Sequence, residues 1–163
     1  MDRVVSGTRP HGDGQRTSEA TVEPFIALVV GLVVARVIGW AGVDALDNWQ
    51  NALKVGVALM FLLAAFAHFH PKLRPQIVEM VPPVLPRPEL LVNITGALEI
   101  AGAVGLLIPA TSTWAAIGLI LLMAAMYPAN VSAARRKVAQ GAPIGPRTVF
   151  QIVYMGAAAL TLI

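Results

Sequence analysis

"LLVNITGALEIAGAVGLLI" occupies Leu90 to Ile108. As a helix, a run of about 20 apolar residues crosses the roughly 30 Å hydrocarbon core of a bilayer. This run has that length, and a glutamate, Glu99, stands halfway along it. In water it would be a core helix with one misplaced charge. In a bilayer it is a spanning helix whose ionisable residue must face other protein. The rest of the chain decides between the two.

Four more segments resemble it in length and apolar character: Phe25 to Val43, Ala52 to Phe69, Thr113 to Asn130 and Thr148 to Ile163. The last is the shortest. Of the 163 residues, 56% are hydrophobic and 13% charged, and the mean hydropathy is +0.70. Soluble domains average about 25% charged residues. The segments are apolar nearly all round, so they lack the charged face of helices that lie flat on a membrane.

Lysine and arginine orient the spans. Arg3, Arg9 and Arg16 precede the first, and the loop from Asp44 to Asn51 has no basic residue. Lys72, Arg74 and Arg87 follow the second, and Pro109 to Ser112 has none. Arg135, Arg136, Lys137 and Arg147 lie between the fourth and the fifth. Basic loops thus alternate with empty ones, as the positive-inside rule requires of a multi-pass protein. The fold expected is all-α: a transmembrane helix bundle of five spans in the cell membrane, N-terminus cytoplasmic and C-terminus outside. Residues 1–23, polar and carrying Pro10, Gly12 and Gly14, read as a disordered cytoplasmic tail without the apolar region of a signal peptide. Residues 24–163 form the bundle. The prolines of His70 to Glu89 cannot continue a helix, while Ile77, Val78, Met80 and Val81 make the loop apolar. It reads as a lid at the cytoplasmic surface.

Polar residues inside the spans carry the chemistry. An ionisable group at membrane depth costs about 2.5–3.5 kcal/mol on insertion scales, so it faces the bundle interior. Glu99 shares a face with Thr95, Gly96 and Gly102, small residues that let another helix approach closely. It is a candidate proton carrier, cation ligand or ligand-orienting acceptor, or else a protonated structural carboxyl. His68 closes the second span as a proton relay, a ligand contact or an interface histidine. Asn130, after Pro128, either caps the fourth span or points inward. Tyr127 is a candidate ligand contact or an interface aromatic. Gln151 shares a face of the last span with Tyr154. In the expected topology His68, Asn130, Tyr127 and Gln151 fall in the cytoplasmic half. A cavity opening there and narrowing toward Glu99 would gather them. Arg36, in the outer half of the first span, either pairs with Glu99 or snorkels to the surface.

The chain has no cysteine. This removes thiol chemistry, iron–sulfur ligation and cysteine–zinc sites from its own repertoire. His68 and His70, spaced i, i+2, do not converge on a metal, and His11 lies in the tail, so neither haem nor zinc is expected. Basic residues beside spans are explained by anionic lipid, so no nucleic-acid partner is expected.

"AFAHF" (Ala65–Phe69), "MVPPVLPRP" (Met80–Pro88), "ITGALEIAGAVGLLIP" (Ile94–Pro109) and "MYPAN" (Met126–Asn130) stand in the order seen in the DoxX family of small bacterial membrane proteins. The resemblance covers roughly Ala52 to Ile163 and leaves the first helix as an added element. It implies a four-helix membrane core and, by association within the family, membrane redox complexes. His68, Glu99, Pro128 and Asn130 match its motif positions, and the match assigns them no catalytic role. The expectation is a subunit of a membrane redox system binding a quinone or similar apolar ligand. A non-enzymatic assembly or scaffold protein is the alternative, and a small transporter a third. Partners are the lipid bilayer and other membrane subunits or further copies of the chain.

Overall fold

The computed structural model describes residues 13–138 and 143–163, with side chains described from residue 22 onward. It is helical, with no strand among the described residues: α1 (Asp13–Trp40), α2 (Trp49–Phe69), α3 (Arg74–Met80), α4 (Pro88–Leu107), α5 (Ser112–Arg136) and α6 (Ile144–Leu160). Among the described residues four helices are long and apolar enough to cross a membrane: Val22–Trp40 of α1, then α2, α4 and α5. The chain is thus a helical protein of membrane-spanning character. α6 has 17 residues, about 25 Å at 1.5 Å per residue, and is not among those four.

Two boundaries differ from expectation. The tail was expected to be unstructured through Glu23, but α1 begins at Asp13. Gln15, Arg16, Glu19 and Ala20 are good helix formers, and extending an existing helix gains a hydrogen bond per residue fixed. Residues 1–12 lie outside the described residues. The fourth span was expected to stop at Asn130, but α5 runs through Pro128 to Arg136. Proline removes one amide and displaces one turn; the helix then resumes. Its end comes at Lys137, which adopts a left-handed conformation with φ 56° and returns its N–H to the carbonyls of Ala133 and Ala134. That is the ordinary helix-ending geometry.

α2 is the central helix. Half of its most apolar window is buried, against 17–28% in the other three candidate spans. It packs on α1, α4 and α6, while α5 bridges α4 to α6. The α1–α2 crossing is a glycine contact. A Cβ on Gly31 would sit 2.9 Å from Gly56 Cα, and a Cβ on Gly56 would sit 3.0 Å from Leu32 N. Only hydrogen atoms at both positions let the two backbones meet, the close approach that membrane helices use for packing. Asn48 starts α2, its Oδ1 accepting from Gln50 N at 2.7 Å, a regular N-cap. Leu53, Val57, Phe61, Leu106, Leu119 and Met123 fill the centre of the bundle.

Candidate functional site: a buried histidine–glutamate pair

Glu99 meets His68. The two side chains come from α4 and α2, each residue is 4% exposed, and His68 Nδ1 lies 3.4 Å from Glu99 Oε2. Gly96, one turn before Glu99, makes this possible. A Cβ there would fall 2.8 Å from His68 Cβ and 2.9 Å from the Phe69 ring. The small residue expected beside Glu99 is thus the one that admits its partner. Gly102 turns instead toward Leu119 of α5. Glu99, halfway along α4, is level with the last turn of α2.

The hydrogen bonds assign the protons. His68 Nδ1 is 3.0 Å from the Ala64 carbonyl as well as near the carboxylate. A carbonyl can only accept, so Nδ1 carries hydrogen and donates to Ala64. His68 Nε2 and Glu99 Oε2 are buried and have no hydrogen-bond partner. The pair is neutral overall when it holds one titratable proton, either as imidazolium with carboxylate or as imidazole with carboxylic acid. Buried polar atoms are satisfied in the great majority of cases. Two unsatisfied ones on adjoining side chains mark this site.

Below the pair, the apolar loop forms α3, which packs on the ends of α2, α4 and α5. Two arginines fasten it. Arg74, in its first turn, donates from Nη1 to Asn93 Oδ1 at 2.8 Å, and its Nη2 is 3.6 Å from Glu89 Oε2. Arg136, in the last turn of α5, donates from Nη2 to the carbonyls of Glu79, Met80 and Val81 at 2.8, 3.0 and 3.2 Å. Those carbonyls end α3, where a helix lacks internal donors. The expected lid is a strap tied at both ends.

The remaining candidates go elsewhere. Gln151 Nε2 donates to the Met123 carbonyl at 2.8 Å, in the stretch of α5 that Pro128 disturbs. Tyr127 and Thr148 hydroxyls are 2.9 Å apart. Thr148 gives its hydrogen to Ile144 O, so Tyr127 is the donor between them. Tyr127 and Gln151 therefore join α5 to α6. Asn130 is half-buried inside α5, not a cap, because the helix continues. Arg36 does not reach Glu99, since α1 and α4 are not in contact. Its Nη1 is 3.4 Å from both Leu46 O and Asp47 Oδ1, and its guanidinium lies 5.1 Å from the Trp40 ring centre.

Two open grooves, of about 460 and 510 Å³, lie away from the pair. Leu98, Gly105, Trp114 and Gly118 line the first, between α4 and α5. Leu32, Arg36, Trp40, Trp49, Leu53 and Leu160 line the second, between α1, α2 and α6. Neither is the expected cavity narrowing to Glu99. The polar groups expected around such a cavity are divided between two helix interfaces. Among the described residues no three histidine or acidic side chains converge as a metal site. The side chains that tie these elements together and were not singled out in the sequence are Arg136 and Thr148. A basic residue in a last turn is a signal for carbonyl capping, but its target 55 residues away had none.

A family model described as a domain of unknown function, DUF8561, matches residues 57–160. The match runs from the middle of α2 to the end of α6 and includes His68 and Glu99. No curated protein and no solved structure matches the chain. More than half of the chain is matched, so it belongs to the DUF8561 family.

Proposed function

We propose that this member of the DUF8561 family is a subunit of a membrane redox system, and that His68 and Glu99 meet a quinone or similar apolar ligand. One observation carries the reading: His68 Nε2 and Glu99 Oε2, on adjoining side chains, are both buried without a hydrogen-bond partner. Leaving such atoms unmet costs about 1–3 kcal/mol each. A ligand that interconverts carbonyl and hydroxyl would satisfy both. A carbonyl accepts from the protonated carboxyl, and a hydroxyl donates to the bare imidazole nitrogen. The pair is neutral while it holds its one mobile proton and gains a negative charge when the ligand takes it, a charge that lasts until the proton is replaced. Electrons come from a partner subunit, because this chain has no cysteine with which to carry a disulfide couple. The ligand reaches the pair by displacement of the α3 strap.

The reading includes five spans in the plasma membrane, with α2, α4, α5 and α6 as a DoxX-like core, α1 added to it, and the N-terminus inside. The alternation of basic and empty loops supports that topology, and the four ordered motifs support the resemblance. A second reading has an observation of its own. Neither groove reaches the pair, as expected of an assembly or scaffold protein in which His68 and Glu99 only join α2 to α4.

The test is mass spectrometry of small molecules that copurify in mild detergent, with wild type beside Glu99→Gln and His68→Gln. A stoichiometric quinone-class molecule lost in both variants is expected. Bulk lipid alone, unchanged across the three, would overturn the ligand reading in favour of the scaffold.

A further inference from the structure

The second groove has a chemistry that the His68–Glu99 pair does not share. Its floor is aliphatic, formed by Leu32, Leu53 and Leu160, and its volume is about 510 Å³. Two indoles flank it, Trp40 and Trp49, 70% and 45% exposed. They stand at the facing ends of α1 and α2, where tryptophan marks the boundary between hydrocarbon and headgroups. One cation lies on the wall, Arg36. Every hydrogen bond that Arg36 makes to the described residues runs through Nη1, at the long distance of 3.4 Å. Nη2 and Nε remain available to an acceptor, and guanidinium binds phosphate oxygens in a two-pronged fashion. Asp47, paired with Arg36 Nη1 through Oδ1 at 3.4 Å, has its side chain 57% exposed and still faces water.

We propose that this groove binds a zwitterionic phospholipid with a primary-amine headgroup. An acyl chain lies along the leucine floor, the phosphate on Arg36 Nη2 and Nε, and the ammonium on Asp47. The adjacent cation and anion decide the headgroup. A purely anionic lipid would gain Arg36 but face the Asp47 carboxylate. A choline headgroup has no N–H to give Asp47. Arg36 and Asp47 meet each other only through one long contact of 3.4 Å, and a phosphate followed by a primary ammonium adds a partner to each in the order in which they stand, the guanidinium at the groove wall and the carboxylate toward water.

The experiment uses the full chain in vesicles, in a Trp114→Phe background that silences the indole of the other groove. Fluorescence quenching of Trp40 and Trp49 is read with phospholipids brominated on the acyl chain, carrying ethanolamine, choline or glycerol headgroups in a common unbrominated host. The ethanolamine lipid is expected to associate roughly threefold more strongly than the other two, the size of one water-accessible ion pair. Asp47→Asn should bring ethanolamine down to the glycerol level. Arg36→Gln should remove the preference, while Arg36→Lys, which keeps a cation, retains it and separates loss of charge from loss of fold. Equal quenching by all three headgroups in the unsubstituted chain, strongest quenching by the glycerol lipid, or a preference indifferent to both Asp47→Asn and Arg36→Gln would each overturn the proposal.

Discussion

Glu99 shows how a single ionisable residue is accommodated inside an apolar bundle. A lone buried charge is costly, and here the glutamate is set 3.4 Å from an equally buried histidine. Breaking such a pair leaves the other member stranded. Glu99→Leu is therefore expected to destabilise the protein by about 1–3 kcal/mol, because His68 loses its counterpart while its ring stays buried. The double variant His68→Phe with Glu99→Leu should cost less than the two single changes added together, with a coupling of about 0.5–3 kcal/mol. Reversible unfolding in detergent micelles measures all four proteins. Additive losses would show that the two side chains do not act as a unit. That Glu99 faces a close helix contact was legible from Gly96, three residues before it. That the partner is His68 was not, because periodicity states which face a residue occupies and not which helix lies opposite.

Among the elements, α1 and α3 are each held by a contact that can be named atom by atom. α1 meets α2 backbone to backbone at Gly31 and Gly56. Gly56→Val would drive a side chain into the Leu28 carbonyl, and overpacking of this kind costs about 1–3 kcal/mol. Circular dichroism should retain the helix content while thermal stability in detergent falls. Unchanged stability would mean that the hairpin opens at no cost. α3 is short and amphipathic, and seven residues do not hold a helix in isolation. Its order rests on Arg136, which occupies three of its terminal carbonyls. Arg136→Gln should raise hydrogen exchange in residues 76–81 by about tenfold, the equivalent of roughly 1.4 kcal/mol of lost hydrogen bonding. The first half of α5 should exchange as before. Unchanged protection of α3 would place its anchor at Arg74 or in its apolar packing. The prolines of the loop predicted an interruption, and the structure shows why a folded strap forms there. α4 begins at Pro88, yet Gly96 already lies against the last residues of α2, so the start of α4 extends past the end of α2 and α3 packs on both.

At the scale of the whole molecule, the prediction concerns topology. With five spans and the N-terminus inside, a cytoplasmic reporter fused after Ile163 should be inactive, and a periplasmic one active. The reverse outcome would mean that α6, at 17 residues, does not cross. The family match begins at residue 57, so α1 and the first turns of α2 lie outside it, yet α1 closes the ring by touching both α2 and α6. Phe25 on α1 packs on Phe150 of α6, ring centres 5.8 Å apart. Helix class, membrane-spanning character and the approximate limits of four spans followed from the sequence alone, because length and hydropathy are local properties and a bilayer acts on each segment separately. The division of the polar residues could not be read that way. Tyr127 and Gln151 go to the α5–α6 seam, His68 and Glu99 to the α2–α4 seam, and Arg36 to Asp47 at the far end. Which helices are neighbours, and at what stagger, depends on glycine contacts between segments far apart in the chain. Only the packed bundle decided that two side chains 31 residues apart come within 3.4 Å of each other.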